Sequence, residues 1–216
     1  MKILTLLEMP QFRDSLINFT MNANSYSTET LTREFDELVS DNFENSFGFW
    51  IHKQLSHAVV VVYKKDPNDE SKIRAKIIVE LDFKDELSIS WESEPPKFRL
   101  PVIQVDGVSN NDPKYQNRGL TTELYNLLAD RYVVVSDNIQ YKGGRELWRK
   151  IAETTKLNGK SVIICDDSKI IRDDKDEIIR YNGGNFDAVE IWQPPDSKNN
   201  KFFCVLILTK DLEQLI

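Results

Sequence analysis

Cysteine is all but missing from this 216-residue chain: Cys165 and Cys204 are the only two, in separate apolar runs, ICDD and FFCVLIL. A disulfide-built scaffold is excluded, and each thiol reads as a small buried apolar side chain. Histidine is as sparse, with His52 and His57 alone. Without C-x-x-C or H-E-x-x-H spacing these four residues give no structural metal site. Glycine and proline, 8 of each, are too few for a collagen-like or low-complexity chain. No run approaches the roughly 20 apolar residues of a membrane-spanning helix. Positive charge is also short: 28 Lys and Arg face 35 Asp and Glu, for a net charge of −7 and a pI near 5.0. A general basic footprint for nucleic-acid phosphates is therefore lacking. The opening MKILTLLEMP has no small-residue cleavage site after its short apolar run, and charge returns at Glu8. The expectation is a soluble protein of a reducing cytoplasm.

What is there is a globular composition, 40% hydrophobic, 10% aromatic and 29% charged, sufficient for one substantial core. MKILTLLE reads as a first strand closed by Met9-Pro10. Leu31, Phe35, Leu38 and Val39 then recur at helical spacing behind Ser27 or Thr28 as N-cap. They predict an amphipathic helix of about four turns. FGFWIHK, HAVVVVYKK and KIRAKIIVELDF predict antiparallel strands, the last two joined by the DPND turn, and ELSISWES alternates as a fourth. LPVIQVDGV is a strand, SNNDPKYQNRG a polar loop, and Leu120, Leu124, Leu127 and Leu128 mark a helix. YVVVSD, GGRELWRKIAETT and KSVIICDD follow as strand, helix and strand, with Leu147, Trp148, Ile151 and Ala152 facing inward. The acid-rich stretch from Asp166 to Glu190 reads as a solvated loop or a docking surface for a basic partner. AVEIW and KFFCVLILTK predict a closing hairpin. This order implies an α/β (α+β) fold in one domain, 1–216, with a mixed central sheet and helices on both faces. Parallel pairing is required only around the crossover helix at 120–130.

The most informative junction is Tyr115-Gln116-Asn117-Arg118-Gly119-Leu120-Thr121-Thr122, where a strand and loop feed a helix. Backbone N–H groups at a helix start, with the helix dipole behind them, suit a phosphate or pyrophosphate. Gly119 permits close approach, Arg118 can add a bidentate contact, and Thr121 and Thr122 offer hydroxyls. The plain alternative is an ordinary loop–helix turn that uses glycine.

Gln116-Asn117-Arg118-Gly119-Leu120-Thr121 resembles the Q/R-x-x-G-x-G/A element of the GNAT superfamily of acyl-CoA N-acyltransferases. From Arg118 to Ile151 the chain is similar to phage-encoded GNAT-like proteins: a strand ending in Ser136-Asp137, a polar loop, and a helix bearing Leu147-Trp148. Ile191-Trp192 and FFCVLILTK resemble their C-terminal hairpin. Residues 1–95 match in element order only, as an N-terminal strand, helix and antiparallel elaboration before the core of 96–216. The resemblance implies a single GNAT-like domain that binds acetyl-CoA. Arg118, Gly119, Leu120, Thr121 and Thr122 would hold the pyrophosphate. The backbone of Val105, Gly107 and Val108 would align the pantetheine arm and polarise the thioester carbonyl.

The implied reaction is direct transfer of an acetyl group to an amine. Asp137 would serve the amine, and Ser136 or Tyr141 would return a proton to the thiolate. Read as residues alone, the same three are a helix cap, a loop hydrogen-bonder and an exposed aromatic. Two positions depart from the family pattern. Thr121 stands where the motif has Gly or Ala, and Trp148 where many of the enzymes carry an acidic Tyr. The acceptor is a protein lysine, a small molecule or a modified nucleobase, met in the host cytoplasm if the chain is phage-encoded. The rival expectation is a catalytically silent GNAT-like protein that engages a host or phage protein through its acidic surface. A third is an acidic DNA mimic. His52, His57 and Asp106 are lesser candidates, Asp106-Gly107 being equally a bulge signal, and the four tryptophans read as packing.

Overall fold

The computed structural model describes residues 25–43, 46–85, 98–110, 112–137, 142–155, 158–166, 169–184 and 204–210. The expected strands MKILTLLE and ELSISWES, and the AVEIW limb of the closing hairpin, lie outside them. Among the described residues the protein is α+β, with three helices and eleven strands of mixed, mostly antiparallel pairing. In chain order these are β1 (Ser25–Ser27), α1 (Thr28–Glu34), β2 (Phe35–Leu38), β3 (Phe47–His52), β4 (His57–Asp66), β5 (Asp69–Phe83) and β6 (Val102–Asn110). After them come α2 (Leu120–Leu128), β7 (Val133–Val135), α3 (Lys142–Thr155), β8 (Ser161–Asp166), β9 (Lys169–Ile170), β10 (Arg180–Tyr181) and β11 (Val205–Thr209). The chain forms two compact units, each described by itself.

The antiparallel unit comprises Ile17–Asp85 and Val105–Leu128. Strands β2 to β5 pair in sequence, and β5 also pairs with β1 and with residues 105–110 of β6. The valine run of β4 forms its centre, since β-branched side chains pack well on a pleated surface; Val59, Val60 and Val61 are fully buried. One face is closed by Leu31 and Phe35 over Trp50, Val59, Val61, Ala75 and Ile77. Helix α2 lies along β4 and buries Leu120, Leu124, Tyr125 and Leu128.

The helix expected to continue through Val39 is shorter. Ser27 caps α1 as expected, its Oγ accepting the Thr30 N–H at 3.1 Å, but the helix ends at Glu34. Phe35 turns extended (φ −124°, ψ 155°), and residues 35–38 pair with 52–49 of β3. Phe35 and Leu38 stay buried in this arrangement while Val39 turns to solvent, 74% exposed. Ladder pairing with an apolar strand has overridden the i, i+3 helical spacing of Phe35 and Leu38, which the strand turns to opposite faces while both stay buried.

The mixed unit comprises Met1–Leu16, Glu86–Gln104 and Ala129–Ile216. Here residues 102–104 of β6 run parallel to β7, the pairing that the crossover through α2 calls for. Strand β11 lies antiparallel between β7 and β8, and β9 and β10 both pair with β8. Val133, Val135, Ile163, Cys165, Val205 and Ile207 form the core, and α3 packs on β8 with Trp148, Ile151 and Ala152 buried. Cys165 and Cys204 are both buried and form no disulfide, as their apolar runs led us to expect. The acidic stretch is exposed but ordered over 173–177, where Asp173 Oδ1 accepts the N–H groups of Lys175 and Glu177 at 2.9 Å.

Candidate functional site

The loop before α2 is shaped by two left-handed residues, Asn117 (φ +60°) and Gly119 (φ +76°). Asn tolerates that region through local side-chain bonding, and glycine does so freely. A side chain at Gly119 would meet nothing within 4 Å, so the approach to the helix is open among the described residues. The first helical bond runs from the Glu123 N–H to the Gly119 carbonyl (2.9 Å). The N–H groups of Leu120, Thr121 and Thr122 therefore precede the ladder, as at any helix start.

Cations gather there in spite of the acidic chain. Around the buried ring of Tyr115 stand Arg118 Cζ at 5.5 Å, Lys114 Nζ at 5.6 Å and Lys64 Nζ at 6.0 Å. Lys76 Nζ bonds Asp112 Oδ2 at 2.7 Å, and that ion pair holds the Asp112 carboxyl below the usual range. Asp112 Oδ1 accepts the Lys114 N–H and starts the 3-10 turn that carries Tyr115. The site combines unladdered amides with clustered positive charge, which is the chemistry of an anion site.

On β6, Val105 pairs with Phe83 and Gly107 with Asp82, leaving Asp106 as the extra residue of a bulge. The Asp-Gly signal in the sequence thus marks a bulge, where backbone groups leave the ladder. Asp106 is exposed, its Oδ1 3.7 Å from Lys84 Nζ. Val108 continues the strand opposite Leu81.

Sequence reading passed over Glu80 and Asp82. Glu80 lies opposite Val59 and Ser109, and Asp82 lies opposite His57 and Gly107. Both carboxyls are pushed up, first by burial and then by another carboxylate, Asp82 acting on Glu80 and Asp106 acting on Asp82. Tyr26 is raised by burial, then by Glu80 and Glu34. The signal was the run VELDF, which sets two acids on alternate positions, hence on one face, of the apolar end of an interior strand.

Beside them His57 and His52 stack with centroids 4.9 Å apart, and the Phe35 ring stands edge-on to both. Ser56 Oγ lies 2.9 Å from His57 Nδ1 and 3.0 Å from His52 Nδ1. The Gln54 N–H donates to His52 Nδ1 at 3.3 Å, and Ser56 Oγ bridges the Nδ1 atoms of the two rings. His57 Nε2 is buried with no hydrogen-bond partner among the described groups. Burial, and then His52, lower the His57 pKa to about 4.

Of the residues expected to act on the acceptor, Ser136 and Asp137 belong to the mixed unit, whereas the anion-site residues belong to the antiparallel unit. Ser136 is buried and committed to the fold: its N–H donates to the Leu206 carbonyl (2.8 Å), and its Oγ accepts the Leu206 N–H and donates to the Asp137 carbonyl, both at 2.9 Å. Its carbonyl accepts from Gln104 Nε2 at 3.0 Å. Tyr141 lies outside the described residues. Trp148 is buried on α3. Among the described residues no group of three or more His, Cys, Asp or Glu side chains is placed to hold a metal ion, and no helix is long and apolar enough to cross a membrane. Comparison with protein-family models, with curated proteins and with solved structures gives no match.

Proposed function

We propose that the protein is an acetyl-CoA-dependent N-acetyltransferase of GNAT-like fold that acts on an amine acceptor. The observation that carries the reading is the start of α2. There an open left-handed Gly119 and Arg118 precede three unladdered amides, with Lys64 and Lys114 around the ring of Tyr115 in the turn before, on a helix that follows β6 and leads to its parallel partner β7. A pyrophosphate would accept from the N–H groups of Leu120, Thr121 and Thr122 and from the Arg118 guanidinium. The pantetheine arm would follow the β6 bulge, flanked by Val105, Gly107 and Val108.

Asp82, directly across from Gly107, takes the amine's proton in this reading in place of Asp137. The neutral amine then attacks the thioester carbonyl carbon, the C–S bond breaks, and the proton shed by the new amide nitrogen passes through water to the departing thiolate. Half-buried carboxyls that crowd one another lower stability, a sacrifice common at working sites.

The test is release of CoA thiol from acetyl-CoA with lysine peptides, small amines and aminated nucleosides as acceptors. We expect at least one class to be acetylated, and Asp82→Asn to lower kcat/KM by about 100-fold or more while CoA affinity stays at the wild-type value. Absence of transfer to every class would contradict the reading. The ordered acidic turn at 173–177 favours the second reading, a silent GNAT-like protein that meets a basic protein partner, and that outcome would promote it.

A further inference from the structure

Glu123 is unusual for its place. It sits on the inward face of α2 among Leu120, Leu124 and Tyr125, and only 7% of it is exposed. Its carboxylate meets the segment that leaves β2: Oε1 accepts from Ser40 Oγ at 2.5 Å and from Asn42 Nδ2 at 3.1 Å, and Oε2 accepts from the same Nδ2 at 3.2 Å. Ser40 Oγ in turn accepts the Asn42 N–H at 3.2 Å. The backbone of Glu123 makes the first hydrogen bond of the helix, to Gly119. One residue thus closes the first turn of α2 with its main chain and anchors that turn with its side chain.

The same segment has a second attachment. Phe43 packs at 5.6 Å against Phe49 and at 6.1 Å against Phe47, and Phe47 packs at 6.0 Å against Tyr115, the ring under Arg118. Residues 40–43 therefore brace the helix start from the polar side through Glu123 and the Arg118 side through the aromatic chain. Burying a carboxylate is costly unless it is fully hydrogen-bonded, and an apolar residue would fill this position of α2 at less cost. What the arrangement secures is the placement of the helix start.

We propose that Glu123, held by Ser40 and Asn42, is a positioning residue for the anion site, fixing the direction of the amides at 120–122. The proposal rests on the acyl-CoA reading only for the identity of the ligand. Its test reverses the polarity of the bond. Asn42→Asp sets two carboxylates against each other. Adding Glu123→Gln re-forms the bond, since the new amide on α2 donates to the new carboxylate at position 42 and its oxygen still accepts from Ser40. Glu123→Gln alone is the conservative control, because Asn42 can turn its amide over to accept. Ser40→Ala removes one donor without adding charge and serves if Asn42→Asp does not fold.

CoA affinity is measured by titration calorimetry on the full chain, and amide hydrogen exchange at 120–122 is followed without ligand. We expect Asn42→Asp to weaken CoA about fivefold or more, with faster exchange of those amides, Ser40→Ala to act in the same direction by about twofold, and the double variant to recover to within about twofold of wild type. Variants that lower Tm while affinity and exchange stay at wild-type values would reduce Glu123 to packing and overturn the proposal, as would a double variant that does not recover. If the wild-type chain ignores CoA, the acyl-CoA reading fails by itself and the exchange rates alone decide. Loss and recovery uphold the positioning role, and an unchanged pattern overturns it.

Discussion

Asp82 and His57 face each other across β4 and β5 and bias the pH dependence of stability in opposite directions. The Asp82 carboxyl is raised above its ordinary 3.8 by burial and then by Asp106. Its stability contribution is fully present below 3.8 and is lost as pH rises through the folded value, so ionisation of the group works against the fold. Asp82→Asn is expected to raise Tm at pH 7, with the advantage shrinking as pH falls toward the ordinary carboxylate range. His57 is lowered from 6.5 to about 4, so the folded state favours the neutral ring, and that stability is lost as pH falls from 6.5 through 4. His57→Gln is therefore expected to flatten the acid limb of the stability curve. Thermal melts from about pH 4 to pH 8 check both signs. A wild-type-like profile in either variant would mean that the faces of β4 and β5 do not hold these groups as described. Both effects belong to the folded sheet, coming first from burial and then from Asp106 on Asp82 and His52 on His57.

Elements were legible where one pattern admitted one answer. The valine run, the DPND turn, the Leu120–Leu128 helix and the Trp148 helix all lie where their periodicity put them. Phe35 and Leu38 fit a helical pattern because i and i+3 share a face there, while their pairing with β3 is a long-range fact that no local spacing carries. The loop–glycine–helix junction before α2 was legible because its parts adjoin in sequence. The Glu123 anchor was not, since Ser40 and Asn42 are more than eighty positions from Glu123. Strand β3 also contains a device visible only in three dimensions. Trp50 Nε1 donates to Tyr63 OH at 3.1 Å directly over Gly48, and a Cβ there would run into both side chains. Gly48→Ala is expected to destabilise the protein by about 1–3 kcal/mol through overpacking, with an earlier loss of the buried tryptophan fluorescence signal in denaturant titration. A midpoint at the wild-type value would show that the Trp50–Tyr63 pair does not sit over the strand.

For the whole molecule, a net charge of −7 argues against broad attraction for anions, yet Lys64, Lys114 and Arg118 collect around a single ring at the start of α2. Positive charge is thus concentrated locally, and part of the excess acid lies on the ordered 173–177 turn. The central claim is that this helix start takes the pyrophosphate of CoA, and thermal stability measured against CoA concentration tests it most directly. A ligand at about 100 times its dissociation constant stabilises the native state by about 2.7 kcal/mol. The account predicts a saturable rise in Tm with CoA that is lost in Gly119→Glu, where a carboxylate enters the open approach, and is reduced in Arg118→Ala. No rise at millimolar CoA, or a rise that survives Gly119→Glu unchanged, would contradict it.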